Sequence, residues 1–177
     1  MTQTMRTDFD CGPVASYNAN QAHNPNNFKM TYTEFLRAWK FPNTGTFKDN
    51  LRDQPGDHLT VLRKLKIPHR RVYIEELLDG KAPAGKTVVL MHDPKDPSMK
   101  QHWVRFVRFD RLSKLYHFDW GNGSYRAYNR QKVYERFTAG APDYAYCIGE
   151  SEPNKISRAA NWFWLQLRNV MKKIIKS

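Results

Sequence analysis

Hydrophobic and polar positions follow different rhythms in the two parts of the chain. Near the N-terminus Val14, Ala15, Asn18, Ala19 and Ala22 recur at three- and four-residue steps, which predicts a helix whose small side chains let it lie close against a sheet. The cluster Asn24-Pro-Asn-Asn27 ends it. A second helix is expected over residues 31–39, with Tyr32, Phe35, Leu36 and Trp39 on one face, and a third over 57–65, where Leu59, Leu62 and Leu65 line up.

From residue 70 onward the runs become short and β-like. Residues 70–74, 86–92, 102–110, 114–120 and 144–148 read as strands, with a small helix over 131–137 between the last two. Helices first and a mainly antiparallel sheet afterwards predict an α+β fold. The final segment is a long amphipathic helix in which Ile156, Ala160, Phe163, Leu167, Val170 and Ile174 step by four and three, with Lys and Arg opposite. Residues 1–150 are thus expected to form one domain and 151–177 a basic C-terminal helix. There is no internal repeat and no low-complexity segment.

Charge changes the picture in one respect. Lys and Arg number 29 against 17 acids, a net charge of +12, and Lys155, Arg158, Arg168, Lys172, Lys173 and Lys176 carry half of that excess with no acid from Pro153 on. Such a helix suits packing on its own domain, a partner protein, or an anionic membrane or polymer surface. Nucleic acid is not expected as a partner, because no helix-turn-helix, zinc finger or RNP-like aromatic motif accompanies the charge. No apolar run is long enough to cross a membrane, and the opening MTQTMRTDFD lacks a signal-peptide core, so a cytoplasmic chain is expected. Two cysteines, Cys11 and Cys147, give neither a disulfide framework nor a structural zinc site, and no HExxH-type cluster exists, so no metal or cofactor is expected.

The chemistry concentrates at DFDCGPVASYNA. Cys11 opens the first helix, where aligned backbone N–H groups stabilise a thiolate; Gly12 allows close approach, and Pro13 gives up only an N–H that has no helical partner. A nucleophilic thiol also needs a base within hydrogen-bond reach and a group that orients the base. Of six histidines, His102 opens the most strongly patterned strand and ranks first, His92 second; His23, His58 and His69 fall in loop or exposed helical contexts. Asp119 ends the next strand, in LYHFDWGNG, and is the candidate orienter. It shares a face with His102 only if the hairpin loop holds an even number of residues; an odd loop without a bulge separates them. His117 alternates onto the face of Asp119 and reads as structural, as Cys147 reads as core. Trp103 and Trp120 are expected to wall the site or fill the core.

DCGP at a helix start, a later HWVRFVRFD strand and then FDWGNG resemble the papain-like cysteine peptidases of the C39 type, the bacteriocin-processing family. The likeness runs from about Thr4 to Gly149 in order and layout and is close at those three motifs. It implies a papain-like α+β fold with the cysteine-bearing helix packed on an antiparallel sheet, and a Cys-His-Asp triad of Cys11 as nucleophile, His102 as general base and Asp119 as orienter. It further implies an oxyanion glutamine shortly before the nucleophile. Met5 occupies that place, which leaves Gln3, two residues earlier, as the candidate donor, with Asn18 and Gln21 as alternatives. Gly12, Trp103 and Trp120 are the expected substrate-contacting residues.

The expected function is therefore a thiol peptidase cutting a peptide or isopeptide bond in a protein or peptide substrate. No transporter segment follows, so the expected setting is a free-standing phage or mobile-element enzyme, virion association included. Two other readings stay open at this point: a catalytically inactive papain-like binding module, and a cell-wall peptidase or amidase of the CHAP or NlpC kind.

Overall fold

The computed structural model describes residues 3–4, 11–24, 29–38, 55–92, 102–140 and 145–151. The helix opened by Cys11 is α1 (Cys11–His23), followed by α2 (Tyr32–Ala38) and α3 (Pro55–Lys64). Then come β1 (His69–Arg71), α4 (Ile74–Leu78), β2 (Thr87–Met91), β3 (His102–Asp110), β4 (Leu115–Asp119), β5 (Tyr125–Tyr128), α5 (Arg130–Gly140) and β6 (Ala145–Ile148). The strands form one sheet in the order β1-β6-β2-β3-β4-β5, with every neighbouring pair antiparallel.

The sheet is covered on both faces, and β2 shows why its sequence runs apolar without alternation. Val88 and Leu90 face one core with Val14, Ala15 and Ala19 of α1, Phe35 of α2 and Leu62 of α3. Val89 and Met91 face a second core with Leu77 of α4, Phe106, Phe118, Trp120, and Val133 and Phe137 of α5. Ala15 and Ala19 bring α1 close to the sheet, which is what the small-residue stripe was expected to do. The α+β arrangement expected from the sequence is therefore present.

Two expectations change. The run 70–74 contributes only a three-residue strand and then turns into α4 at Ile74. The edge strand β5 was not expected, because YRAY is short and half exposed, and its pairing with β4 is what defines it. Trp39 and the whole segment 152–177, including the expected amphipathic helix, lie outside the described residues.

The end of β6 closes against the C-terminus of α1. Gly149 has φ +91°, donates its N–H to the Pro68 carbonyl at 2.7 Å, and a Cβ there would collide with Nδ1 of His23. Gly149→Ala is therefore expected to cost about 2 kcal/mol, a fall in Tm of about 4–8 °C. An unchanged thermal melt would contradict that assignment.

Candidate active site

Cys11 is the first residue of α1, partly exposed, with its neighbours buried behind it. Burial of the sulfur pushes its pKa up, but the positive charge of His102, a hydrogen bond from its ring, and the backbone N–H groups of Trp103 and Gly12 together pull it below the ordinary thiol value. One turn on, the Ser16 hydroxyl donates to the Gly12 carbonyl at 2.8 Å and lies 2.6 Å from the Tyr146 hydroxyl. Since the Ser16 proton is already committed, Tyr146 is the donor of that second bond. Tyr146 is itself held protonated: burial is the largest influence and pushes its pKa up, outweighing the contact with Ser16, and charge on Cys11 adds to the rise. The first turn of α1 is thus fastened to β6 from beneath.

His102 is buried where β3 begins. Its Nε2 lies 2.9 Å from the backbone carbonyl of Trp120, and its ring stacks on the Trp120 indole with centroids 4.9 Å apart and planes 10° from parallel. A carbonyl can only accept, so Nε2 carries a hydrogen and Nδ1 is the nitrogen left for the sulfur. That is the tautomer a thiol-activating base requires. Trp120 thus sets the tautomer and supports the ring plane of His102, through backbone and side chain together.

Asp119 lies beside this pair but does not accept from His102. The hairpin closes with Asp110 opposite Leu115, and if that register continued Asp119 would face Phe106 and share the face of His102. A bulge between Phe106 and Arg108 shifts the pairing by one, so Asp119 stands opposite Arg105 and on the other face. One carboxylate oxygen then pairs with the Arg105 guanidinium at 2.9 Å, and the other accepts the Gly121 N–H at 2.9 Å. The triad expected from the sequence is corrected here: the carbonyl of Trp120 takes the orienting position. Asp119 instead closes the turn Asp119-Trp120-Gly121, with Gly121 at φ +74°, that aims that carbonyl at the imidazole.

The oxyanion candidate is also displaced. Gln3 is clasped through its backbone by Asn18, whose side-chain oxygen accepts the Gln3 N–H and whose amide donates to the Gln3 carbonyl, both at 2.8 Å. The Gln3 side chain donates to the Thr4 carbonyl at the surface, so neither Gln3 nor Asn18 offers its amide to the thiol. Met5 lies outside the described residues. The N–H of Gly12, already a partner of the sulfur, and the other amides opening α1 are the donors at hand.

The remaining candidates sort by burial. The Trp103 side chain packs on Tyr146 in the α1 core, and only its backbone N–H reaches the sulfur. Trp120 is buried beneath His102, so neither tryptophan presents an open face to a substrate, and Gly12 acts through its amide. His92 has its backbone tied to Arg136 of α5. His117 shares the face of Asp119 by alternation, and its buried Nε2 has no partner among the described residues. Cys147 is a buried core thiol whose pKa burial pushes up to about 12. Among the described residues no three His, Cys, Asp or Glu side chains are placed to hold a metal ion, and no helix is long and apolar enough to cross a membrane. Ser16, Tyr146 and Arg105 were missed in the sequence; only the place of Ser16 within the helix that Cys11 opens could have pointed to one of them.

No protein-family model matches the chain, and no curated protein matches it. Among solved structures, the fold is similar to the peptidase domain of Streptococcus ComA, described as a bi-functional ABC transporter involved in a quorum-sensing pathway. The similarity has a TM-score of 0.57 at 11% identity and covers 84% of this chain and 97% of that domain. At that identity the likeness concerns the fold alone, a mixed arrangement of helices on an antiparallel sheet.

Proposed function

We propose that the chain is a cysteine peptidase in which Cys11 is the nucleophile and His102 the general acid and base. The observation that carries this reading is the thiol of Cys11 held by a His102 ring whose other nitrogen is fixed on the Trp120 carbonyl. The sulfur, as thiolate, attacks the scissile carbonyl carbon while amides at the start of α1 receive the developing oxyanion. Nδ1 of His102 gives its proton to the leaving nitrogen as the C–N bond breaks, leaving an acyl group on sulfur. Water, losing a proton to the same Nδ1, then attacks the acyl carbon and releases the thiolate and the product acid.

The neutral carbonyl of Trp120 holds the imidazolium less strongly than a carboxylate would, because it brings no opposite charge to the hydrogen bond. Orientation and tautomer are preserved, and the expected penalty falls on rate. The same facts favour one other reading, an inactive binding module: Asp119 is paired with Arg105, and the Gln3 amide is turned to Thr4.

A mixed peptide library and purified peptidoglycan, each followed by mass spectrometry, separate the possibilities. New peptide termini formed by the wild type and not by Cys11→Ser are the expected result. Release from peptidoglycan alone would move the reading to a cell-wall hydrolase. No cleavage of either, together with a Cys11 thiol no more reactive than free cysteine, would leave the binding module.

A further inference from the structure

Two side chains stack on Trp120. His102 belongs to β3 and Arg126 to β5, the two strands that flank β4, and Trp120 directly follows β4. The imidazole lies parallel to the indole with centroids 4.9 Å apart, and the guanidinium carbon of Arg126 stands 4.0 Å from the indole centroid. Because the two side chains approach from opposite flanking strands, the indole is sandwiched between the base and a fixed cation. Trp120 is 1% exposed, and its Nε1 has no hydrogen-bond partner among the described residues, so ring stacking rather than hydrogen bonding holds the indole side chain. Removing the cation from one face therefore loosens the surface on which His102 rests.

The sandwich also places charge. From the thiol–imidazole pair, the charged and titratable groups among the described residues of the surrounding elements are Cys11 itself on α1, Tyr146 on β6, His92 just after β2, Arg136 on α5, Arg126 on β5, and the Arg105–Asp119 pair with His117 on the opposite face of β3 and β4. Arg105 and Asp119 compensate each other at 2.9 Å. Arg136 lies over the next aromatic ring, Tyr128, at 4.5 Å, rather than over the indole. Among the described residues Arg126 is thus the cation stacked on the ring that carries His102.

We propose that Arg126 is a positioning residue of the reaction: through Trp120 it fixes the plane of His102, and its charge biases the thiol–imidazole pair toward an anionic sulfur and against excess positive charge on the ring. This rests on the peptidase reading of Cys11 and His102. A nearby cation makes the thiol easier to ionise and the imidazolium easier to deprotonate, so both limbs of the pH–rate profile lie lower than they would without it. Removing it moves both limbs upward in pH, by about 0.3 to 1 unit for a cation one stacked ring away in a partly buried site.

The test is the pH profile of Cys11 alkylation by iodoacetamide, which needs no peptide substrate, compared with the profile of peptide cleavage in the full chain. Arg126→Gln is expected to shift the rise of the alkylation profile and both limbs of the cleavage profile upward in pH, and Arg126→Lys, which restores the charge without the planar stack, to return them toward wild type while cleavage stays several-fold below it. If Arg126→Gln does not fold, Arg126→Met, which keeps an apolar stem over the indole, serves the same comparison. Limbs that stay in place in a folded variant whose Cys11 remains reactive and His102-dependent would overturn the role of Arg126 and leave the peptidase reading standing. A wild-type Cys11 no more reactive than a free thiol would remove that reading, and the role of Arg126 with it.

Discussion

In a His102→Ala protein, Cys11 is expected to be alkylated at neutral pH at no more than the rate of a free cysteine, about a tenth of the wild-type rate or less. The sign follows from the groups around the sulfur. Burial is the largest influence and raises the pKa; His102 supplies the main opposition, through charge and through a hydrogen bond, with the N–H groups of Trp103 and Gly12 behind it. Remove the imidazole and burial is left against two backbone amides, so the thiol moves up toward or beyond its ordinary value and its thiolate fraction at pH 7 collapses. Peptide cleavage should fall further than alkylation, by about a thousandfold or more, because the leaving amine also loses its proton donor. The buried Cys147, pushed up to about 12, should stay unlabelled in both proteins until denaturant is added. Equal alkylation rates for wild type and His102→Ala would contradict the pairing.

Asp119→Ala is expected to destabilise the fold by about 3 kcal/mol, since it leaves the Arg105 guanidinium without its carboxylate in a place where both side chains are largely shielded from water. Arg105 Nε is already buried without a partner among the described residues, so the unpaired cation has no ready substitute. The same substitution removes the acceptor for the Gly121 N–H, and with it the closure of the turn that aims the Trp120 carbonyl at His102. Asp119→Asn keeps an oxygen for that N–H and loses only the charge. The two variants should therefore separate: both lower in Tm, but Asp119→Asn retaining most of its cleavage rate and Asp119→Ala losing it at temperatures where it is still folded. A direct triad role would instead make both variants equally inactive, and chemical denaturation alongside kinetics distinguishes the outcomes.

The sequence pattern was enough for the layers and for the thiol–imidazole pair, because both rest on local rules. The spacing of Val14, Ala15, Asn18 and Ala19 marks a close-packed helix, and a cysteine before Gly-Pro at its start has a physical use there. His102 stood out by opening a nine-residue strand, and the structure brings its ring to the sulfur. What escaped depends on one extra residue in β3. The four-residue loop between Asp110 and Leu115 satisfies the parity that would have put Asp119 beside His102, and the bulge near Phe106 reverses it. A bulge has no reliable signature in HWVRFVRFD, and a backbone carbonyl such as that of Trp120 has none at all. Gln3 escaped for a similar reason: its partner Asn18 is fifteen residues away, and only the fold reveals that the two clasp each other. Arg126 lies on an edge strand too short and too exposed to be read as one.

The most direct measurement is a thiolate absorbance titration of the wild-type chain against Cys11→Ala, so that the difference belongs to Cys11 alone. A sulfur whose pKa lies below the ordinary value is a thiolate above that lowered value and loses its charge as pH falls through it. The expected difference curve therefore rises at a lower pH than that of a free thiol, and moves upward in a His102→Ala background. A difference curve that rises only near the free-thiol value of about 8.5, and is the same with and without His102, would contradict the thiol–imidazole pair on which the proposed chemistry depends.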